Sequence, residues 1–275
     1  MPRDLLVPLQ YSDADAAALD AAAALATAHG ARVAVLAAIA FPMPVASEWG
    51  MAVLTLNQAD FDALRATAAA AGEAACQRLQ RAGIEAELRV VESLQQWPEE
   101  TAALHARHAD LAILGRRDGS RFPIAFSALL LDSGRPVLVV PEGAKLMVPP
   151  RRVVLAWQPR REAARAIHDA LPLLPRDARI DVLVVDPDIG ETAYGDAPGA
   201  DIAAHLARHG AQVQVITQAR AGRSTGAVIV DHATAEHADL IVMGGYGHSR
   251  WREQVLGGAT RAVLEQSTLP VLFAH

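Results

Sequence analysis

Short apolar segments alternate with longer segments of helical periodicity along the whole chain. The second half contains five such apolar segments, at residues 152–157, 180–186, 212–217, 240–243 and 271–274. The first half contains five more, at residues 5–9, 33–40, 87–91, 111–114 and 137–140. Strands that are apolar on both faces and separated by helices are typical of a parallel sheet covered by helices on both sides. The pattern therefore predicts an α/β protein built from open parallel-sheet sandwiches.

The two halves of the chain repeat one another. ADLAILG at residues 109–115 matches ADLIVMG at residues 238–244, and RPVLVV at 135–140 has its counterpart in LPVLFA at 269–274. Because the matched segments occur in the same order, they indicate duplication of one unit. Two prolines within residues 148–151 cannot continue a helix and predict a linker there. The sequence thus predicts two tandem domains, at residues 1–146 and 151–275.

Composition narrows the classes of function. The chain has 275 residues, of which 52% are hydrophobic and 20% charged, enough for two globular cores. A net charge of −6, dispersed basic residues and few aromatic residues argue against a nucleic-acid partner. Cys76 is the only cysteine, which excludes an intrachain disulfide. No apolar run has the length of a signal peptide or a membrane span, so we expect a cytoplasmic protein with no membrane partner.

The segment after the fourth strand of the second half carries the candidate chemistry. GGYGHS follows that strand at residues 244–249, and GGAT opens the last helix at residues 257–260. In open parallel sheets, ligands bind beyond the carboxyl ends of the strands. Glycines let a phosphate approach backbone amides, and a helix N-terminus offers free N–H groups. The pattern favours a two-part anion site, although strand-to-helix packing explains glycines equally well at this stage.

The whole chain resembles the universal stress protein family in its tandem form, which implies an adenine nucleotide α-hydrolase-like fold. The family's nucleotide pattern, Gly-x2-Gly-x9-Gly-Ser/Thr, falls on Gly244, Gly247 and Gly257, and residues 243–272 resemble the family's C-terminal third throughout. The resemblance implies that ATP, or ADP or AMP in its place, binds with its phosphates and ribose on the glycine loop and adenine near the end of strand two. The site residues expected from it are Gln158, Val184, Val185, Met243, Gly244, Gly247, His248, Ser249, Gly257, Gly258 and Ala259.

Several positions depart from the family pattern. Gly258 stands where nucleotide-binding members carry Ser or Thr, and Gln158 stands where the strand-one aspartate usually lies. Gln158 brings no charge for a metal, so the requirement for Mg²⁺ stays open. The first half lacks a second glycine at the expected spacing after Gly115, and its loop is five residues shorter. We expect a degenerate, empty site there, with Arg116 and Arg117 on a solvated loop.

No arrangement of side chains in the sequence is typical of catalysis or of metal binding. A nucleophile elbow is absent, and Lys145, the only lysine, lies near the linker rather than in a P-loop. Any ATP hydrolysis should therefore be slow, and we assign no catalytic residue. Histidine pairs at helical spacing, such as His205 with His209, lack a third ligand with matching context, so we assign no metal site.

Two hypotheses from different classes remain. The first is a regulatory, non-catalytic stress-response protein that binds ATP or a related adenine nucleotide in its C-terminal domain. The alternative is a nucleotide-free scaffold of the same fold that binds a protein or a small apolar ligand. In both, the family resemblance implies that the two domains pair within the chain through their last strands, at residues 135–140 and 269–274. Association into a homodimer stays open.

Overall fold

A computed structural model describes residues 1–40, 45–47, 50–52, 58–93, 97–117, 123–187, 197–246 and 257–275. The first half contains β1 Asp4–Pro8, α1 Asp15–His29, β2 Arg32–Ala40, β3 Val45–Ser47, β4 Gly50–Ala52, α2 Gln58–Arg81, β5 Ala86–Ser93, α3 Pro98–Ala106, β6 Leu111–Arg116, α4 Phe126–Asp132 and β7 Val137–Pro141. The second half contains β8 Arg152–Ala156, α5 Arg161–Ala170, a 3₁₀ turn Leu171–Leu173, β9 Arg179–Val185, α6 Ala200–Arg208, β10 Gln212–Gln218, α7 Thr225–Ala235, β11 Leu240–Gly244, α8 Gly258–Gln266 and β12 Val271–Ala274.

Ten of these strands form one continuous sheet, in the order β10-β9-β8-β11-β12-β7-β6-β1-β2-β5. Within each half the neighbouring strands run parallel, as the apolar strand pattern predicted. The order β12-β11-β8-β9-β10 in the second half repeats the order β7-β6-β1-β2-β5 in the first. The α/β fold class is therefore confirmed, and the two halves are copies of one five-stranded unit.

The two units join through their last strands. β7 and β12 pair antiparallel, with Leu138 opposite Leu272, which confirms the expected pairing of the halves. Beside this pair, the fully buried rings of Phe126 and Phe273 meet edge to face, with centroids 5.1 Å apart. Since the strand ladder and this ring contact both cross between the halves, the halves share one hydrophobic core.

Helices cover both faces of the sheet because alternate strand residues are apolar on each side. One buried cluster includes α1, α5 and α6 residues, and the other includes residues of α3, α4, α7 and α8. α1 is rich in alanine and buries residues such as Ala18 and Ala22, whose small side chains let the helix lie close to the sheet. Within the described residues, no helix is long and apolar enough to cross a membrane.

The position of Arg116 differs from the expected solvated loop. Arg116 ends β6 and is buried, and its Nη2 donates to the carbonyl of Ser267 at 2.7 Å, just beyond α8 of the other half. The sequence pattern missed this contact because the acceptor belongs to the second half. Arg116 therefore contributes to the junction between the halves.

Candidate functional site

A cleft of about 300 Å³ opens at the carboxyl ends of the second half's strands. The ends of β8, β9 and β11 form its floor, and the starts of α5, α7 and α8 form its rim. The lining residues are Ala156, Trp157, Gln158, Arg160, Glu162, Ala163, Leu183, Val185, Arg220, Thr225, Ile229, Met243, Gly244, Gly257, Gly258, Ala259 and Thr260. This is the place at which open parallel sheets bind ligands.

The fold brings most of the predicted site residues together. Those that line the cleft are Gln158, Val185, Met243, Gly244, Gly257, Gly258 and Ala259. Val184 is not among the lining residues, because its side chain packs on the opposite face of the sheet, in the cluster that contains Leu206. Gly247, His248 and Ser249 lie outside the described residues.

Gly244 has a structural reason to be glycine. A Cβ at this position would lie 2.6 Å from the backbone nitrogen of Ala163, in the first turn of α5. Gly115 occupies the matching place in the first half, where a Cβ would collide with the carbonyl of Ala14 before α1. Close packing of the strand end on the helix start therefore explains this glycine in both halves, with or without a ligand.

Gly257 and Gly258 have no such reason. Among the described residues, no atom lies within 4 Å of a Cβ on Gly258, and the nearest atom to one on Gly257 is Thr260 Oγ1 at 3.9 Å. Gly257 has φ −55°, which any residue adopts, and Gly258 already belongs to α8. Among the described residues, the glycine pair thus leaves open space in front of the backbone amides at the N-terminus of α8, where an anion is favoured.

Two hydroxyl groups that the sequence analysis did not assign to the site line the cleft. Thr260, two residues after Gly258, is only 3% exposed, and the described residues offer its hydroxyl no hydrogen bond. Thr225 opens α7 on another side of the cleft. The GGAT segment contained the signal for Thr260, since a side chain in the first turn of a helix lies next to the amides of that turn.

Charged groups at the rim are held by ion pairs. Glu162 accepts a hydrogen bond from Arg161 Nε at 2.8 Å. Burial acts to raise the pKa of Glu162, but this hydrogen bond and the charges of Arg161 and His275 outweigh it, so the pKa lies below its ordinary value. Glu162 is therefore an ionised carboxylate in the cleft wall.

On the opposite rim, Arg220 bridges the ends of β9 and β10. Its backbone nitrogen and Nε donate to the two carboxylate oxygens of Asp186, at 2.9 and 2.5 Å. These hydrogen bonds hold the pKa of Asp186 below its usual value. Arg220 and Arg160 are the cationic side chains among the lining residues that the structure describes.

The first half has different residues at the positions that correspond to the cleft. The segments RPVLVV and LPVLFA each have proline as their second residue, at positions 136 and 270. Pro123 and Ile124 precede the first of these prolines by the same distances as Gly257 and Gly258 precede the second. Proline has no N–H to donate, and α4 begins only at Phe126, whose ring is fully buried. Gln10, the counterpart of Gln158, donates from Nε2 to the carbonyl of Gly115 at 2.7 Å.

The next question is whether the described residues could hold a metal ion in the cleft. Within the described residues, no cluster of three or more histidine, cysteine or carboxylate side chains is placed to bind a metal. Gln158 lines the cleft, and the described residues offer its side-chain amide no hydrogen bond. The cleft therefore combines apolar walls, hydroxyl and amide groups, and an open helix N-terminus.

Comparisons with known proteins agree with this architecture. A universal stress protein from Archaeoglobus fulgidus DSM 4304 matches with a TM-score of 0.74 and 17% identity, covering 98% of this chain and 95% of that one. A functionally unknown protein from Pseudomonas aeruginosa PAO1 matches with a TM-score of 0.60 and 14% identity, covering 99% and 92%. Identities this low show the shared fold alone, and no curated protein matches the chain. The universal stress protein family matches twice, at residues 1–141 and 150–275, and the chain belongs to that family.

Proposed function

We propose that this chain is a regulatory, non-catalytic stress-response protein that binds ATP or a related adenine nucleotide in the cleft of its second half. The observation that carries the proposal is the open glycine pair at the start of α8. Neither Gly257 nor Gly258 is needed for packing against the described residues or for an unusual backbone angle. A phosphate group would occupy the space that a Cβ would otherwise fill.

The lining residues divide into groups suited to the parts of a nucleotide. The amides of Gly258 and Ala259, with the Thr260 hydroxyl, would hold phosphate oxygens at the N-terminus of α8. Thr260 would then supply the hydroxyl that the family pattern places at position 258. The apolar side chains of Val185 and Met243 would face the adenine ring. This arrangement supports the proposed site within residues 151–275, and we propose that residues 1–146 form a partner domain without a nucleotide.

Glu162 is the only carboxylate among the described lining residues, and we expect ATP binding to depend little on Mg²⁺. Glu162 is engaged with Arg161, and Gln158 carries no charge. The described lining residues thus offer no unengaged carboxylate to a hard cation. We expect the affinity for ATP with Mg²⁺ to lie within about 5-fold of the affinity measured with a chelator, a difference of about 1 kcal/mol.

Substitution of Gly258 tests the site while preserving the fold. Gly258→Asp puts a carboxylate in the proposed phosphate position, and acidic residues favour a helix N-terminus, so α8 should remain folded. Gly258→Ser is the matched control, because it restores the hydroxyl of the family pattern and should retain ATP. Thermal unfolding with ATP, ADP and AMP is the measurement, since ligand at 100 times its dissociation constant stabilises by about 2.7 kcal/mol.

The results separate the two hypotheses. A shift for the unmodified protein and for Gly258→Ser, but not for Gly258→Asp, would support nucleotide binding at α8. An equal shift for Gly258→Asp would show that the nucleotide binds elsewhere. No shift for the unmodified protein, with no nucleotide released on denaturation, would instead favour the nucleotide-free scaffold.

A further inference from the structure

The cleft of the second half is in contact with the first half through the two residues that follow β11. Gly244 lines the cleft, and Gly245 comes next, with its N–H donating to the carbonyl of Ala274 at 2.9 Å. A Cβ on Gly245 would lie 2.5 Å from Leu130 Cδ2, on α4 of the first half. The side chain of Leu130 therefore fills the space beside the end of β11, and it would have to move if position 245 carried a side chain.

Tyr246 makes the polar contact of this junction. Its hydroxyl lies 2.6 Å from Ser127 Oγ, so one hydroxyl donates to the other between the halves. Tyr246 has φ +62°, a left-handed conformation that is uncommon for residues other than glycine. Such a conformation persists only where the surroundings hold it. Here the surroundings include the Ser127 hydroxyl and the buried cluster on which the ring packs.

Tyr246 also lies within the family's glycine pattern, between Gly244 and Gly247. In the sequence, residues 247–256 join Tyr246 to Gly257 at the start of α8. The backbone angles at Tyr246 set the direction in which the chain leaves β11 towards Gly247. Gly244, two residues before Tyr246, lines the cleft, so a contact that holds Tyr246 also holds the end of β11 in the cleft wall without touching the nucleotide.

We infer that Ser127 and Tyr246 are positioning residues, through which the first half holds the cleft of the second half in its nucleotide-binding arrangement. This inference rests on the proposed function. It gives the first half a role in binding even though its own equivalent of the α8 N-terminus begins with Pro123 and Ile124. The bond between the two hydroxyls then contributes to affinity as well as to folding.

A double-mutant cycle on the full chain tests the inference. ATP affinity is measured by calorimetry for Ser127→Ala, Tyr246→Phe and the double variant. Each single change removes the hydrogen bond and should weaken ATP binding by about 2- to 10-fold. The double variant should bind ATP with about the affinity of the single variant that binds it less tightly, because both changes remove the same hydrogen bond. Ser127→Thr keeps the hydroxyl and should bind within about 2-fold of the unmodified protein.

Tyr11→Phe is the matched control. Tyr11 also has a positive φ, and its hydroxyl donates to the carbonyl of Ala38 at 2.9 Å, entirely within the first half. This variant loses a tyrosine hydrogen bond of the same kind, yet it should leave ATP affinity unchanged. Equal weakening in Tyr11→Phe would show a general loss of stability and would overturn the positioning role.

The remaining outcomes distinguish the inference from the proposed function. If the unmodified protein binds ATP and the Ser127 and Tyr246 variants bind it equally well, the inference is overturned and the proposed function stands. If the unmodified protein binds no adenine nucleotide, the proposed function fails and the inference fails with it. Amide exchange of α4 gives a second readout, since ATP should slow exchange at residues 126–132 in the unmodified protein and not in Tyr246→Phe.

Discussion

At the scale of single residues, the glycines of the nucleotide pattern serve different purposes. Gly244 is required because β11 ends against the first turn of α5, and Gly115 repeats this contact in the other half. Gly258 faces open space among the described residues. Within one pattern, glycine is thus needed for close packing at one position, and at another it leaves space among the described residues.

This difference predicts opposite results for two alanine variants. Gly244→Ala would put a Cβ 2.6 Å from backbone atoms of α5 that cannot move independently, and we expect a loss of about 1–3 kcal/mol in the free energy of unfolding. Gly258→Ala, the matched control, should change it by no more than about 0.5 kcal/mol. Urea unfolding of both variants without ligand is the measurement. A comparable loss in Gly258→Ala would mean that its glycine is structural.

At the scale of elements, the strands were the most predictable feature. The bounds of all ten strands of the large sheet differ from the predicted bounds by at most two residues. The inner strands leave nearly uninterrupted apolar runs, and the edge strands β5 and β10 still show apolar residues that alternate with polar ones. The hairpin of β3 and β4 was not predicted, since strands of three residues are too short to show a pattern.

The candidate site was predictable only in part. The glycine segments belong to one stretch of sequence, and Gly257 and Gly258 do line the cleft. Arg220 and Thr225 were not predicted. They follow β10, and they come near the glycine segments only because the sheet has the strand order β10-β9-β8-β11. Periodicity along the chain predicts strands, but it carries no information on which strands become neighbours.

The contact between α5 and α6 leads to a prediction about pH. The rings of His168, His205 and His209 lie together, with centroids 5.4 and 4.8 Å apart. Burial, then the charges of His209, His168 and Arg208, lower the pKa of His205. As the pH decreases below about 6.5, His205 takes up a proton more readily in the unfolded chain than in the folded chain. The free energy of unfolding therefore decreases as the pH is lowered.

His205→Gln should accordingly flatten the dependence of the free energy of unfolding on pH between about 7 and 5. Urea unfolding at several pH values in this range is the measurement. A residual slope should remain, because burial also lowers the pKa of His29 and His105. His237→Asn is the control, because it replaces a histidine that is exposed in the folded chain. An unchanged slope in His205→Gln would contradict the prediction.

At the scale of the whole molecule, one duplicated unit has become a pair of unequal domains. The antiparallel pairing of β7 with β12 turns two five-stranded sheets into one sheet of ten strands. Family resemblance implied this pairing, whereas the periodicity of the sequence did not. The halves then diverged at the helix before the last strand, where Gly258 of one half corresponds to Ile124 of the other.

This junction should bind the two halves into one folding unit. Phe126→Ala removes a fully buried ring that meets Phe273 of the other half, and we expect a loss of about 3–5 kcal/mol in the free energy of unfolding. Ile124→Ala is the control, because Ile124 lies just before the same helix but is 74% exposed, so its loss should stay within about 0.5 kcal/mol. Unfolding is followed by circular dichroism and by the fluorescence of the chain's four tryptophans, of which each half contains two. In the unmodified protein the two signals should change together, and in Phe126→Ala they should separate as each half unfolds on its own. Separate transitions in the unmodified protein would show that the continuous sheet does not couple the halves.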